Sequence, residues 1–248
     1  MSIKNLDLEK AAWFSFLSSL VYKKETEIKQ FFESEGIGIV KFLDKDGTQA
    51  LMYSSNTEVA VVVRGTEPTA FKDILADLNI RKKKAKADAG KVHAGFQESL
   101  DDIWREVISF IDNHANGPDG KDIYFAGHSL GAAVATLAAF RCPRVTELYT
   151  FGSPRVGNST LIKANKEITH WRFVNNNDLV ARVPSFLRWT HHGKRVYINH
   201  KGKISGVTGV RLFWDLCKGH ASSWMRFKFF DSFSDHSIVN YYKHIRNN

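Results

Sequence analysis

The residues with the clearest chemical meaning are Gly127-His128-Ser129-Leu130-Gly131. G-x-S-x-G is the spacing of a nucleophile presented on a sharp strand-to-helix turn. A serine hydroxyl is a poor nucleophile until a base takes its proton and a third group orients that base. The chemistry is then acyl transfer, with donors aimed at a developing oxyanion, each worth about 3 kcal/mol. In this architecture the partners follow as acid and then histidine. Of the downstream acids, Asp178 lies just past a strand's C-terminal end, where sheet proteins gather ligands. Glu167 falls on a helix and Glu147 inside a strand. The base is expected from the loop entering the last helix. His236 fits, His220 is its rival, and His244 lies mid-helix. The Leu130 N–H, at a helix start, is one oxyanion donor. Thr66, at the end of a neighbouring strand, offers its N–H and hydroxyl as the second; an ordinary strand-ending turn is the plainer reading.

The flanking sequence must build that turn. Ile123-Tyr124-Phe125 has the β-branched and aromatic character of a short buried strand. Ala132 to Ala139 is an alanine-rich run of high helix propensity. Between them, side chains two positions either side of Ser129 would meet the adjoining strand and helix, and glycine removes them. G-x-S-x-G alone is a weak signal; placed between these two patterns it is much more specific.

Upstream, Ala11–Tyr22 is a mostly apolar 12-residue run. Asp7 and Glu9 precede it, Lys23-Lys24-Glu25 follows, and there is no small-x-small cleavage site. It is too short to span a bilayer. It is expected as a first amphipathic helix, in a chain with no signal peptide that is cytoplasmic or exported by a leaderless route. Strands are expected at 38–43, 49–53 and 59–63, the first two joined by an Asp46-Gly47 hairpin turn. Thr69 to Asn79 carries Phe71, Ile74, Leu75 and Leu78 at helical spacing, a narrow apolar stripe. Arg81 to Lys86 reads as a charged loop. A long helix is expected over 96–113, with Leu100, Ile103, Trp104, Val107, Ile108 and Ile111 inward. Further strands fall at 145–151 and 169–174, a helix at 158–166, an edge strand at 197–200, and a last helix over 234–245 with Ser234 as N-cap. Residues 202–231 mix aromatic and basic residues without a readable period.

At 248 residues one domain is expected. The formal net charge of +9 is uneven. Arg81–Lys91 holds six basic residues and one acid, and Arg188–Lys228 holds nine and one. These are solvated loops or two basic lips that approach an anionic lipid surface. No nucleic-acid motif accompanies the charge, so no nucleic-acid partner is expected. Two cysteines, Cys142 and Cys217, indicate no disulfide framework and leave room for at most a single bridge, and no metal-ligand spacing of Cys and His is present.

Val63-Arg64-Gly65-Thr66, Ala76-Asp77-Leu78, Val92-His93-Ala94-Gly95-Phe96, Gly127 to Ala132, Thr150 to Gly157, Asn177-Asp178-x-Val180-x-x-Val183-Pro184 and Asp235-His236 occur in an order that resembles the class 3 lipases. These are the fungal-type triacylglycerol lipases, with relatives among phospholipases A1 and feruloyl esterases. The likeness runs over roughly residues 37 to 245. It implies an α/β-hydrolase fold, with a mostly parallel central sheet and helices on both faces. It implies Ser129, Asp178 and His236 as triad, Thr66 and Leu130 as oxyanion donors, and a lid beginning at Phe71 to Leu78. It implies ester hydrolysis without metal or cofactor, with a triacylglycerol lipase acting at a lipid interface as the first expectation. A phospholipase A1 or a soluble short-chain esterase is the alternative, and a non-catalytic basic lipid-surface binding module the alternative of another class. Ile74 stands near where family members often carry a lid tryptophan, and the disulfides of secreted fungal members have no counterpart.

Overall fold

The computed structural model describes residues 5–65, 82–86, 90–116, 120–183, 189–205 and 235–248. Thr66, the expected lid residues Phe71, Ile74, Leu75 and Leu78, the rival base His220, and Cys217 lie outside these.

Helix α1 (Leu8–Leu20) starts at Asp7, whose side chain accepts the Lys10 N–H. A second helix, α2 (Glu25–Ser34), buries only Ile28 and Phe32. Then come β1 (Ile39–Lys45), β2 (Thr48–Ser54) and β3 (Glu58–Val63). Asp46 and Gly47 between β1 and β2 have φ of 50° and 81°. Two positive φ values in a two-residue loop match the twist of the flanking strands. β4 (Lys82–Lys84) pairs antiparallel with β5 (Lys91–His93), so part of the expected charged loop is a strand. Three lysines in a row hide it from a pattern search, because nothing alternates.

α3 (Ala94–His114) follows, with Phe110 inward and Ile108 only half-buried. Next are β6 (Asp122–His128), α4 (Leu130–Arg141), β7 (Glu147–Phe151), β8 (Gly157–Asn158), α5 (Ser159–Ala164) and β9 (Thr169–Asn175). β10 (Trp189–Thr190), β11 (Lys194–Ile198), β12 (Ile204–Ser205) and α6 (Ile238–Arg246) complete the described elements. The last helix is capped by Ser237 rather than Ser234, so His236 precedes it.

The main sheet has the order β1-β2-β3-β6-β7-β9-β11-β12. Its central pairs, β3 with β6, β6 with β7, β7 with β9 and β9 with β11, are all parallel. β12 pairs antiparallel outside β11, so the strand expected at the edge is internal. A small antiparallel sheet, β10-β8-β5-β4, stands apart.

The sheet is covered on both faces. One face packs on α3 and α4 through Val61, Leu100, Ile103, Phe125 and Leu148. Every residue of α4 from Gly131 to Phe140 is buried, which its small side chains allow. The other face packs on α1 and α6 through Phe14, Leu17, Trp171, Phe173, Tyr241 and Ile245. Each large apolar side chain buried there contributes about 2–3 kcal/mol. That layer fixes α6, and so the residue just before it, over the C-terminal ends of β6, β7 and β9. Cys142 is a buried free thiol. No described helix is long and apolar enough to cross a membrane.

Candidate active site

β6 ends at His128 and α4 begins at Leu130, so one residue makes the whole turn. Ser129 has φ 57° and ψ −127°. A non-glycine residue held there costs roughly 1–3 kcal/mol and persists only where its surroundings enforce it. The Ser129 N–H donates to the Phe151 carbonyl of β7 at 3.0 Å. A Cβ on Gly127 would stand 2.6 Å from the carbonyl carbon of Gly131, in the first turn of α4. A Cβ on Gly131 would stand 2.3 Å from the Val63 oxygen at the end of β3. The two glycines thus serve different contacts, one with the helix and one with the neighbouring strand.

The structure brings Ser129, His236 and Asp178 together. His236 Nε2 lies 2.8 Å from Ser129 Oγ, and its Nδ1 lies 3.0 Å from both Asp178 carboxylate oxygens. The carboxylate only accepts, so Nδ1 carries the proton and donates to it. Nε2 is then bare and accepts from the Ser129 hydroxyl. Asp178 follows β9 in a tight turn, its own N–H donating to the Asn175 carbonyl at 2.8 Å. Burial alone would raise the Asp178 pKa. The His236 charge, with hydrogen bonds from His236 and Tyr241, holds it below the usual carboxylate value instead. All three side chains are buried, Ser129 to 1% exposure.

Five further residues shape this site, and none was legible as doing so in the sequence. The Tyr241 hydroxyl donates to Asp178 Oδ2 at 2.6 Å and accepts the Asn175 N–H at 2.9 Å. Burial, then the Asp178 charge, raises its pKa well above the ordinary value, so it stays a donor. Asp235 ties the histidine's segment to the acid's turn, accepting from Asn176 Nδ2 and the Asn177 N–H at 3.1 Å each. His128 Nε2–H donates to the His236 carbonyl at 2.7 Å, and the Tyr22 hydroxyl donates to His128 Nδ1 at 3.1 Å. Burial, then the nearby His236, lowers the His128 pKa to about 3, so this ring is a neutral strut. Gly152, at φ 62°, lies so close that a Cβ would stand 2.7 Å from Asp178 Oδ2 and 2.9 Å from His236 Nδ1. Tyrosine and glycine at those positions look like core and turn; only the fold reveals what they touch.

Leu130 opens α4, so its N–H is among those the helix leaves without an intrahelical partner. Thr66 is outside the described residues. Gly65 before it abuts the elbow, since a Cβ there would stand 3.1 Å from Ser129 Cβ.

Residues 60–187 match the family Lipase (class 3). The chain belongs to the class 3 lipases. Its likeness to a lipase of Rhizopus niveus is 31% identity over 166 residues, 62% of this chain and 41% of the relative. Its likeness to phospholipase A(1) DAD1 of Arabidopsis thaliana is 41% identity over 95 residues, 35% of this chain and 21% of the relative. The chain spans less than half the length of the first curated relatives it matches. A crystal structure of a lipase from Rhizopus microsporus var. chinensis superposes with a TM-score of 0.68 at 22% identity, over 80% of this chain and 76% of that one. That likeness is one of fold: the class 3 lipase chain has the α/β-hydrolase architecture, with its parallel sheet between helical layers.

Proposed function

We propose that this class 3 lipase chain is a serine ester hydrolase, one α/β-hydrolase domain over residues 1–248, acting on acylglycerols at a lipid interface. The observation that carries the reading is the unbroken hydrogen-bond chain Ser129–His236–Asp178, with 2.8 Å and 3.0 Å links. Ser129 Oγ attacks the ester carbonyl carbon while its proton passes to His236 Nε2. Asp178 holds the ring and stabilises the imidazolium. The oxyanion takes the Leu130 N–H and, in this proposal, Thr66. The intermediate collapses, and His236 protonates the departing alcohol. Water then gives its proton to His236, attacks the acyl carbonyl, and frees the carboxylic acid and Ser129. These steps use no metal or cofactor.

The burial of Ser129 favours a lid, for which the apolar stripe Phe71, Ile74, Leu75 and Leu78 is the proposed segment. Opening it would offer that stripe to lipid, while the two basic segments favour an anionic surface. The likeness to phospholipase A(1) DAD1 favours a second reading, hydrolysis of an acyl chain from a phospholipid.

A serine-reactive phosphonate should label the wild type and leave Ser129→Ala unlabelled. Absence of labelling in both, with no hydrolysis of p-nitrophenyl esters of any chain length, would leave a basic lipid-binding module. Rates on emulsified triacylglycerol against phospholipid vesicles separate the two enzyme readings. A rate that does not rise once substrate exceeds its solubility removes the lid.

A further inference from the structure

A pocket lies on the face of the sheet packed toward α4, away from the α1 and α6 layer. It has a volume of about 160 Å³, and Arg155, Arg172, Arg182, Arg195, His191 and Asn176 contribute to its wall. No acidic residue is among the described residues lining it. Arg172 and Arg195 are in register on the parallel strands β9 and β11, so their side chains leave the sheet on the same face. Arg155 and Arg182 come from the segments after β7 and β9 and are held together, the Arg155 guanidinium donating to the Arg182 carbonyl. Arg182 is braced in turn by the Asn176 carbonyl at 3.3 Å and Asn177 Oδ1 at 3.4 Å.

Arg172 is the telling residue. It is 7% exposed, and its Nε is fully buried with no hydrogen-bond partner. No ion pair with Arg172 occurs among the described residues. Buried charges are normally paired, because an unpaired one loses its hydration without return. Burial, then Arg195, lowers the Arg172 pKa to about 10, still far above neutrality. His191 adds no countercharge. Its Nε2–H donates to the Ala181 carbonyl at 2.9 Å, and burial with Arg172 and Arg155 keeps its pKa well below the usual value.

We infer that this pocket is a binding site for a compact oxyanion of the phosphate class, with Arg172 at its base. Guanidinium forks match the spacing of phosphate oxygens, and several around one small pocket satisfy a tetrahedral anion better than a planar carboxylate. The anion is free phosphate or the phosphate of a lipid headgroup. Asn176 and Arg182 bracket Asp178 in the chain, yet the pocket is not lined by Ser129, His236 or Asp178.

The test is thermal unfolding of the whole chain at fixed ionic strength, titrated with inorganic phosphate against chloride. Phosphate should raise the wild-type Tm saturably by several degrees, and chloride should not. Arg172→Met should unfold at a higher Tm than wild type in phosphate-free buffer, since it removes a buried unpaired charge, and should lose the phosphate response. If Arg172→Met does not fold, Arg195→Gln carries the comparison, with an apparent phosphate affinity at least about tenfold weaker. Glycerol 3-phosphate, and co-sedimentation with phosphatidic acid rather than phosphatidylcholine vesicles, distinguish the sources. A response to vesicles alone assigns the site to a headgroup, and a response to phosphate assigns it to the soluble anion. A wild type indifferent to all three probes, or an Arg172→Met that responds like wild type, overturns the inference.

Discussion

Among the described residues, two buried hydroxyl–imidazole chains run in the same sense. In one, Ser129 donates to His236, which donates to Asp178. In the other, the Thr150 hydroxyl lies 2.7 Å from His170 Nε2, and His170 Nδ1 lies 3.1 Å from His192 Nδ1. His192 Nε2 lies 2.8 Å from the Asn165 carbonyl, which only accepts. That fixes the tautomers back along the chain: His192 is protonated at Nε2, His170 donates from Nδ1, and Thr150 donates to His170 Nε2. Up to the third group the two chains match. There they part, for one ends on a carboxylate and the other on a neutral imidazole. An imidazolium beside Asp178 is stabilised; one at His170 would have no anion, and burial, then His192 and Arg172, hold its pKa well below the ordinary value. The hydroxyls differ too. Ser129 sits at a positive-φ turn at the start of α4, while Thr150 is fully buried within β7. A base needs a countercharge and a nucleophile poised at a helix N-terminus, and proximity to a hydroxyl supplies neither.

The sharpest way to break this comparison is to delete each hydroxyl. Ser129→Ala should cut ester hydrolysis by roughly a millionfold in kcat, given that the members of such a unit act together. Thr150→Val should leave kcat within about twofold and lower stability by about 1–2 kcal/mol, since His170 Nε2 loses its buried donor. Initial rates on a soluble ester, with urea unfolding on the same preparations, read both. A Thr150→Val enzyme that loses its activity while folded would mean that the second chain is also chemical. Next in size is the third group. Asp178→Asn should lower kcat by about ten-thousandfold. Val180 N–H and the Tyr241 hydroxyl donate into that carboxylate at 2.9 Å and 2.6 Å. An amide NH₂ must face one of these donors or His236 Nδ1, which forces the wrong tautomer.

The difference between the two chains also marks what a sequence can carry. The elbow was legible because everything it needs is local: a strand, two glycines and an alanine-rich helix within a few residues. Asp178 was legible from the strand before it, and His236 from the helix after it. Arg172 and Tyr241 were not, since each meets its neighbours only through register or across layers. Arg172 reads as an ordinary alternating residue in a strand, and Tyr241 as an apolar-face aromatic. Helix α2 escaped because Ile28 and Phe32 are too few to make a period. The proposed lid and Thr66 rest on spacing and resemblance, their residues lying outside those described.

Acid should separate the chains by stability. His170 and His128 are held neutral, with folded pKa values below the unfolded value near 6.5. Below that value the unfolded state binds more protons, so stability falls as pH falls. For His128 the loss continues to about pH 3. Each such histidine contributes about 1.4 kcal/mol per pH unit in its window. Asp178 is also depressed, but its loss begins only below the unfolded carboxylate value near 4. Urea midpoints from pH 7 downward should therefore fall in two stages. His170→Gln should flatten the fall below pH 6.5 by about one proton's worth of slope. An unchanged slope would mean that His170 already exchanges its proton in the folded state.

The smallest effect tests what completes the carboxylate's surroundings. Tyr241→Phe deletes the hydroxyl that donates to Asp178 Oδ2 and keeps the ring packed against Phe151. A hydrogen bond to a charged acceptor is worth about 1.5–3 kcal/mol, and only part of that is felt at His236. We expect a loss of about tenfold in kcat/KM, with KM nearly constant, because residue 241 is fully buried behind the Asp178 carboxylate. With one donor gone the Asp178 carboxylate turns more of its charge toward the imidazole it holds, so the acid limb of the rate profile should shift toward higher pH. A packing role alone would leave that limb where it is. Tenfold slower turnover with an unmoved limb would mean that Tyr241 positions the Asn175 backbone rather than the carboxylate, and that the charge beside His236 needs no help from α6.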